Sequence, residues 1–338
     1  MSAQSDQEVA PPTLFAVAAM AGVSKSTVSR VITGSPHVTP ESVAAVNAAI
    51  ARLNYIPNRA ARSLVGRRAH MIAMVIPERT ADFFADPYFA EVIQGAALYA
   101  STTGYMLTLL IESGGNAGKT RQFLLGGNVD GALVLSHHTG AQTYAELSPS
   151  LPIVFGVRPL QPTSPAVHVV DVDNVEVGFR GTRALIDAGR SRIATIAGPL
   201  DTAAGMDRME GFRSALAASG LRDDLFEVGD FTPASGARAI ARLLERDPTI
   251  DAVFCASAQM GSGAATYLRE QGVLIPHAIA LTAADDNFFA ASASLTTLDL
   301  HTAEKGAVMV KTLLTLVEGK EVPLVTTIDC DLVERSSV

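Results

Sequence analysis

The sequence predicts a small all-α unit followed by an α/β core of two doubly wound lobes, each built on a parallel sheet. Three observations lead to this fold class. Apolar residues recur at helical spacing on both sides of a Gly turn in the first fifth of the chain. After Arg67 and Arg68, short apolar runs alternate with helical stretches. A polar break over residues 171–174 divides that alternation into two series.

The first unit is predicted to contain three helices. Thr13 can cap the first helix, and Gly22 lies where the chain must turn sharply, which favours a residue without a Cβ atom. Ser24 can cap the second helix, and Thr39 precedes a proline that starts the third. The stripe of the third helix, which closes a three-helix core, consists of Val43, Val46, Ile50 and Leu53.

Charge and the outward face of the second helix indicate a polyanion as the partner of this unit. Residues 1–68 carry a net charge of +4, whereas the rest of the chain carries −12. With Val28 turned inward, the hydroxyls and cations around it face outward, suited to phosphates and base edges. These outward residues are Lys25, Ser26, Thr27, Ser29 and Arg30. A simple three-helix bundle is the alternative, and the charge asymmetry argues against it.

The segments AGVSKSTVSR and NYIPNRAARSL, together with their separation, resemble the DNA-binding domain of the lactose-repressor (LacI/GalR) family of bacterial transcription regulators. The resemblance implies that the helix beginning at Ser24 enters the major groove and that Lys25, Ser26 and Arg30 choose bases. It also implies a hinge helix over residues 58–65 in the minor groove, where Leu64 wedges into a base step. The full set of expected DNA-binding residues is Thr13, Ser24, Lys25, Ser26, Thr27, Ser29, Arg30, His37, Asn58, Arg59, Ala61, Arg62 and Leu64.

Composition limits the other classes of protein. The chain has 338 residues, 48% of them hydrophobic and 18% charged, which is typical of a globular protein with a large core. Residues 1–12 lack the apolar stretch of a signal peptide, and no later run is long enough to span a bilayer, so we expect a cytoplasmic protein without a membrane partner. Cys255 and Cys330 lie in apolar runs and are expected to be buried thiols.

The core elements follow in order. Strands are predicted at 71–76, 105–111, 131–135, 153–157, 167–170, 193–197, 252–256 and 279–283, with helices at 88–102, 175–188, 208–219, 235–245, 260–271 and 303–317. The predicted domains are a disordered segment 1–11, a helix-turn-helix domain 12–57, a hinge and linker 58–68, and a core 69–338. The first lobe is expected to hold about 69–170 and 301–325, and the second about 171–297 and 326–338. The resemblance, which runs to the end of the chain, implies lobes like those of periplasmic sugar-binding proteins, joined by three crossovers with a ligand between them.

Several residues near strand ends suit a sugar-like ligand. Arg208 could fork across two hydroxyls, and Asp285 could accept from a hydroxyl pair. Phe231, Tyr88 and Phe89 could stack on a ring face, although Phe231 could equally be core and Arg208 could pair with Asp207 or Glu210. The resemblance places these residues at ligand positions, and the expected ligand-binding set is Tyr88, Phe89, Arg158, Arg208, Phe231, Ser257 and Asp285.

Some positions depart from the family pattern. Ser257 and Ala258 stand where Asn-Asp is usual, Val157 replaces a frequent acid, and Leu300 replaces a frequently polar residue. From these departures we expect a pocket that has lost carboxylates and amides. Each unpaired sugar hydroxyl would cost about 1–3 kcal/mol. The expected effector is therefore sugar-like but less hydroxylated than a hexose or differently substituted, unless the site is weakened.

These observations predict a ligand-responsive, sequence-specific transcription regulator. We expect a repressor that works as a homodimer on a pseudo-palindromic operator in double-stranded DNA, because one helix-turn-helix makes too few contacts. The alternatives are a solute-binding protein, against which the DNA module argues, and an enzyme acting on sugars or nucleosides. No nucleophile and base can be paired from the sequence. The sequence predicts no catalytic residue, cofactor or metal.

Overall fold

The computed structural model describes residues 13–32, 35, 37–53, 55, 68–78, 80–112, 117–135, 142–160 and 166–338. It divides into two compact units, one up to Ala69 and one from His70 onward. The predicted disordered segment 1–11 and most of the predicted hinge lie outside the described residues. The hinge residues concerned are Asn58, Arg59, Ala61, Arg62 and Leu64.

Among the described residues of the first unit, three helices begin where they were predicted to begin. They are α1 (Leu14–Ala21), α2 (Lys25–Ile32) and α3 (Pro40–Leu53). Thr13 Oγ1 accepts from the Ala16 N–H at 3.3 Å, and Ser24 Oγ accepts from the Thr27 N–H at 3.2 Å, so both predicted caps are confirmed. Gly22 ends α1 with φ = 65°, a left-handed conformation that a Cβ would penalise.

A small apolar core closes this unit. Val17, Ala18, Val28, Val46, Ala49 and Tyr55 are buried, with Ile50 and Leu53 packed against them. The predicted stripe of α3 is therefore confirmed at Val46, which is buried, and at Ile50 and Leu53, which are half-buried and pack against this core; Val43 is half-buried as well. Burial of one face of α2 turns its polar residues outward.

The second unit contains two six-stranded sheets. The first has β1 (Met71–Ile76), β2 (Met106–Ile111), β3 (Gly131–Val134), β4 (Ile153–Phe155), β5 (His168–Val172) and β11 (Val325–Ile328) in the order β11-β5-β4-β3-β1-β2. Every strand pair in it is parallel. The carboxyl ends of its strands therefore lie along one edge of the sheet.

The second sheet repeats this plan. It has β6 (Ile193–Ala197), β7 (Phe226–Val228), β8 (Ala252–Cys255), β9 (Ala280–Ala284), β10 (Thr296–Asp299) and β12 (Asp331–Val333) in the order β12-β10-β9-β8-β6-β7. Only β12 runs antiparallel to its neighbour. Cys255 lies buried in β8, and Cys330, just before β12, is also a buried free thiol, as predicted.

Ten helices are described in the second unit. They are α4 (Thr80–Ala85), α5 (Pro87–Ser101), α6 (Ala117–Leu125), α7 (Gln142–Ala145), α8 (Asn174–Asp187), α9 (Ala203–Ala218), α10 (Pro233–Arg246), α11 (Ala258–Glu270), α12 (Phe288–Ala293) and α13 (Thr302–Val317). Helices α4 to α7 and α13 pack on the first sheet, forming the first lobe, and α8 to α12 belong to the second lobe. The predicted fold of two parallel-sheet lobes is confirmed.

The lobe boundaries differ from those expected. Strand β5 continues through Val172, and β11 pairs with it along its whole length, so residues 171–172 and 326–328 belong to the first sheet. The prediction ended the strand at Val170 because Asp171 interrupts the apolar run. Asp171 nevertheless pairs in register with Thr327 while its carboxylate lies at the edge of the sheet. Helix α9 also begins at Ala203, five residues before the predicted start.

Candidate ligand cleft and nucleic-acid interface

A cleft lies between the two lobes at the carboxyl ends of their strands. It encloses about 520 Å³, part of which is open to solvent. The first lobe contributes Asp86, Tyr88, Val157, Asp171, Val172 and Lys305, the second Asn174, Ala204, Arg208, Phe231, Ser257, Gln259 and Asp285, and the crossover between β10 and α13 adds Leu300 and Thr302. The predicted residues Tyr88, Arg208, Phe231, Ser257 and Asp285 are thus brought together.

Arg208 is fixed within the cleft by neighbours on three sides. Its Nε donates to Asn174 Oδ1 at 2.9 Å, its Nη1 donates to the Ala256 carbonyl at 2.6 Å, and its Nη2 lies 3.6 Å from Asp285 Oδ1. Helices α8 and α9 approach so closely that a Cβ on Gly178 would lie 2.1 Å from the Arg208 carbonyl oxygen. The guanidinium is therefore held by its surroundings and does not pair with Asp207 or Glu210.

Two lining residues of the second lobe have left-handed backbones. Phe231 has φ = 62° and Asp285 has φ = 71°, which is costly for residues with side chains. A Cβ on Gly198 would lie 2.5 Å from the Phe231 ring, so that glycine leaves room for the ring. Burial raises the pKa of Asp285, although Arg208 and Lys305 oppose the shift. Strain at both residues is typical of a binding site.

In the first lobe, Lys305 forms the second buried ion pair of the cleft, with Asp171. Its Nζ lies 2.6 Å from Asp171 Oδ1 and donates to Tyr88 Oη at 2.9 Å. Burial lowers the pKa of Lys305, but Asp171 and Tyr88 outweigh that effect and the net shift is upward. The ammonium therefore stays charged and orients the Tyr88 ring at the cleft.

Hydrogen bonds join the two lobes at one end of the cleft. Gln259 Nε2 donates to Asp86 Oδ1 at 2.9 Å, and Asn287 Nδ2 lies 3.4 Å from Gln259 Oε1. Burial raises the pKa of Asp86 to about 6, although the hydrogen bond that the Asp86 carboxylate accepts from the Tyr88 N–H opposes this shift. A bridge of neutral and acidic side chains therefore spans the lobes beside the ligand space.

Ser257 has a structural role as well as a place in the lining. Its Oγ accepts from the Met260 N–H at 3.3 Å and caps α11. The hydroxyl can still offer its proton to a ligand, because a hydroxyl is both donor and acceptor.

Two expected ligand residues are placed elsewhere. Phe89 lies in the core of the first lobe, 2% exposed, because it follows Tyr88 by about 100° around α5 and so faces the sheet. Arg158 lies outside the cleft and makes a two-pronged ion pair with Asp207 of the second lobe. Neither residue therefore faces the ligand space.

The departures at Val157, Ser257 and Leu300 do not leave the cleft without carboxylates and amides. Val157 and Leu300 do line the cleft, but three carboxylates and two amides line it as well, and the sequence reasoning missed most of them. Besides the predicted Asp285, they are Asp86, Asp171, Asn174 and Gln259, and Lys305 and Thr302 add donors. These groups can bond hydroxyls, and the expectation of a less hydroxylated or differently substituted effector stays a prediction.

A signal for part of this set exists in the sequence. Asp171 and Asn174 flank the crossover at residues 172–174, where strand-end rules place ligands. Asp86 is the cap of a helix that follows β1. Lys305 has no such signal, because it lies inside α13 and reaches the cleft only through the crossover.

The first unit presents a polar face on α2. Ser24, Lys25, Ser26, Ser29 and Arg30 are exposed, whereas Thr27 is half-buried and Val28 fully buried. The Lys25 ammonium lies 3.2 Å from the centre of the Phe15 ring, and Ser24 Oγ is 2.7 Å from Ser26 Oγ. Thr13 and His37 are exposed as well. The predicted recognition residues that the structure describes are therefore exposed, except for the half-buried Thr27.

No helix among the described residues is long and apolar enough to cross a membrane. Within the same residues, no group of three or more His, Cys, Asp or Glu side chains is placed to hold a metal ion.

A helix-turn-helix unit with an outward polar helix, followed by two lobes that enclose a polar cleft, defines a ligand-responsive DNA-binding regulator. Residues 13–58 match the model of bacterial regulatory proteins of the lacI family, and residues 69–336 match that of periplasmic binding proteins and the sugar-binding domain of the LacI family. The chain therefore belongs to the LacI family of bacterial transcription regulators. It is a regulatory protein rather than an enzyme.

Individual relatives agree with this assignment. The HTH-type transcriptional regulator CelR of Thermobifida fusca is 40% identical over 333 residues, covering 96% of this chain and 98% of CelR. A structure described as a CelR–cellobiose complex has a TM-score of 0.76 at 38% identity and covers 97% of this chain and 100% of its own. The lac repressor dimer bound to operator and the anti-inducer ONPF has a TM-score of 0.84 at 26% identity, with coverage of 97% and 99%.

Proposed function

We propose that this regulator binds a neutral, hydroxyl-rich sugar between its lobes and that the sugar changes its affinity for DNA. The arrangement around Arg208 carries the proposal. Its guanidinium is held by Asn174 and Asp285, while Phe231 and Tyr88 offer ring faces. Charged donors, carboxylate acceptors and aromatic faces together are what a pyranose ring needs.

The charges of the cleft favour a neutral ligand. Both cations already face carboxylates: Arg208 faces Asp285, and Lys305 faces Asp171. An anionic ligand would compete with these carboxylates, and a cationic one would compete with the cations. Hydroxyls can bond both partners of each pair without separating them. The description of the relative CelR as a complex with cellobiose supports the same class of ligand.

The DNA-binding role rests on α2 and the unit around it. Lys25, Ser26 and Arg30 would read base edges, and Leu64 of the expected hinge would wedge into a base step. Two copies of the chain would occupy the halves of a pseudo-palindromic operator, because single half-sites give too little specificity. The lac repressor, described as a dimer on its operator, supports this arrangement. Binding to DNA would place the present protein in the cytoplasm.

Effector and operator are coupled only if the sugar has different affinities for the DNA-binding and the DNA-releasing arrangement of the lobes. Operator fragments selected from a random DNA pool provide the assay. Their affinity for the full chain is measured with and without cellobiose. A change in affinity supports the proposal, and an identical affinity at saturating sugar contradicts the coupling.

Binding in the cleft is tested by a thermal-shift and calorimetric screen of saccharides. A ligand at 100 times its dissociation constant stabilises the protein by about 2.7 kcal/mol. Arg208→Met should abolish that stabilisation. Arg213→Met is the matched control, because Arg213 lies on the same helix with a half-exposed side chain at 3.6 Å from Asp223. Equal loss in both variants would argue against a role for the cleft.

The recognition helix is tested by substituting one of its exposed cations. Arg30→Ala should weaken binding to the selected operator more than binding to random DNA, because base contacts carry sequence preference whereas phosphate contacts do not. Arg52→Ala, an exposed cation on α3, serves as the control. If Arg30→Ala weakens binding to the operator and to random DNA equally, Arg30 does not contact the bases.

A further inference from the structure

Among the described residues, three short segments of the chain cross between the two lobes. They join β5 to α8, β10 to α13 and β11 to β12. A change in the angle between the lobes is absorbed by backbone rotation in such connecting segments. A side chain that ties two of them together therefore limits how the lobes can move.

His301 ties two of these segments together. It lies directly before the first residue of α13, the helix that returns the chain to the first lobe. Its ring Nε2 donates to Asp331 Oδ2 at 2.9 Å, and Asp331 is the first residue of β12 in the second lobe. Its backbone N–H donates to Asp299 Oδ1, also at 2.9 Å. The imidazole therefore connects the segment that enters α13 with the segment that enters β12.

The backbone of His301 is held in a strained conformation. Its φ of 46° lies in the left-handed region, which costs energy for a residue with a side chain. Such strain persists only where the surrounding contacts fix it. The hydrogen bonds to Asp299 and Asp331 supply those contacts, so the position of the ring depends on both carboxylates.

The two carboxylates lie on either side of the His301 ring. Asp299 and Asp331 are direct cross-strand partners where β10 pairs antiparallel with β12, and like charges in that relation repel each other. Ring Nε2 is 2.9 Å from Asp331 Oδ2, and ring Nδ1 is 3.5 Å from Asp299 Oδ2. Both nitrogens carry a proton only in the imidazolium form. Only the charged ring is therefore attracted on both sides.

The charged groups that face the ring from β10, β12 and α13 all favour its protonation. Glu304, in the first turn of α13, adds a third negative charge to those of Asp299 and Asp331. The hydrogen bond to Asp331 raises the pKa of His301 above 6.5, although partial burial opposes the shift. The stabilisation by these contacts is therefore complete below pH 6.5 and is lost as pH rises through the raised pKa.

We propose that His301, Asp299 and Asp331, here called the crossover clasp, make the movement of the lobes sensitive to pH. The protonated clasp ties two of the crossing segments and favours the lobe arrangement of this structure. Once His301 loses its proton, the tie between α13 and β12 weakens and other arrangements gain population. Any ligand that prefers one arrangement then binds with an affinity that depends on pH. The inference goes beyond the proposed function and does not depend on it, because it concerns the lobes alone.

The test measures the distance between the lobes in the full chain by fluorescence energy transfer. Spectra are recorded over a pH series from about 5.5 to about 8.5, the range in which histidine changes its charge. The dyes are attached through Gln122→Cys on α6 and Ser214→Cys on α9, two exposed positions on different lobes. The native thiols Cys255 and Cys330 are buried and should stay unlabelled. Dilution into unlabelled protein restricts the signal to distances within one chain.

Three variants assign a pH response to the clasp. His301→Asn removes the titrating ring, and asparagine is among the residues that best tolerate a left-handed backbone. Asp331→Asn removes the carboxylate that most raises the His301 pKa, and this side chain is 71% exposed, so the fold should be preserved. His168→Gln is the control, because His168 Nδ1 bonds the Pro323 carbonyl within the first lobe.

In the parent protein, the population ratio of the lobe arrangements should change by up to about fivefold across the series, the effect that a partly exposed ion pair allows. His301→Asn should abolish this change, and His168→Gln should retain it. Asp331→Asn should move the midpoint to lower pH. A parent protein whose lobe distance does not change with pH overturns the proposal.

Asp86 and Glu91 are the other groups whose charge changes near this range, because burial raises their pKa values to about 6 and about 7. A pH response that persists in full in His301→Asn would belong to such groups, and it would refute the clasp. An unchanged midpoint in Asp331→Asn would refute it as well. The assay contains neither sugar nor DNA, so its result is independent of any failure of the proposed function.

Discussion

The buried pair between Lys305 and Asp171 gives the sharpest test of how the cleft is built. The Lys305 Nζ lies 2.6 Å from Asp171 Oδ1, and the two side chains are only 4% and 12% exposed. Lys305→Met keeps the length of the side chain but leaves the carboxylate buried and unpaired. Removing one partner of a buried pair typically costs about 3–5 kcal/mol. We expect that loss in the free energy of unfolding of the α/β core.

The same chain offers a control with the same geometry and a different environment. Lys320 Nζ lies 2.6 Å from Glu318 Oε2, but these side chains are 69% and 45% exposed. Exposed pairs contribute about 0–1 kcal/mol, so Lys320→Met should hardly change stability. The two pairs share an N–O distance and differ in burial, and Lys305 also donates to Tyr88 Oη. The difference between the two variants therefore measures the effect of the buried surroundings of Lys305.

Urea unfolding followed by circular dichroism measures both losses, and a double-mutant cycle assigns them. Adding Asp171→Asn to Lys305→Met removes the buried carboxylate that has lost its cation. Part of the lost stability should then return, because no uncompensated charge remains in the core. Melting should fall on the order of 10 °C for Lys305→Met alone, at about 2–4 °C per kcal/mol for a unit of this size. Equal losses for Lys305→Met and Lys320→Met would refute the reasoning.

Two further predictions concern titration and lobe closure. Burial, with Asp285, Asp299 and Asp86 nearby, raises the pKa of Glu91 from 4.5 to about 7. The folded state thus favours the protonated form, and the stability that this provides is complete below pH 4.5 and lost as pH rises through 7. Relative to Glu91→Gln, the parent protein should lose melting temperature across that window, and parallel pH profiles would contradict this. Arg158→Ala removes the exposed ion pair to Asp207 that joins the lobes. It should change stability by less than about 1 kcal/mol but weaken effector binding up to about fivefold, as titration would show. Unchanged affinity would exclude a role in closure.

The helical unit could be predicted almost residue by residue because its determinants are local. The caps at Thr13 and Ser24 and the turn at Gly22 each depend on residues within one helical turn. The two-lobe fold was likewise predictable from apolar runs of strand length. Short strands with exposed residues, such as β7 and β11, escaped prediction because they lie at sheet edges and lack a continuous apolar run.

The strand-end rule predicted only part of the cleft, whereas Arg208 and Tyr88 lie within helices and were expected there from the family resemblance. Asp285 comes directly after β9, and Ser257 follows β8 by two residues, so both were found. Lys305 lies in a helix far along the chain, and only the crossover after β10 brings it beside Asp171. Adjacent residues were also hard to separate. Tyr88 faces the cleft and Phe89 the core, which depends on how α5 is rotated against its sheet.

The chemistry of the pocket shows why single positions give an incomplete account of a binding site. Val157 and Leu300 were expected to mark a loss of polar groups, and both do line the cleft. A ligand, however, meets the sum of the groups around it. Asp86 caps α5 and Asp171 lies near the end of β5, and their carboxylates keep the site rich in acceptors. With apolar residues at Val157 and Leu300, the cleft therefore still offers Asp86, Asp171 and Asp285 as acceptors for the hydroxyls of a sugar.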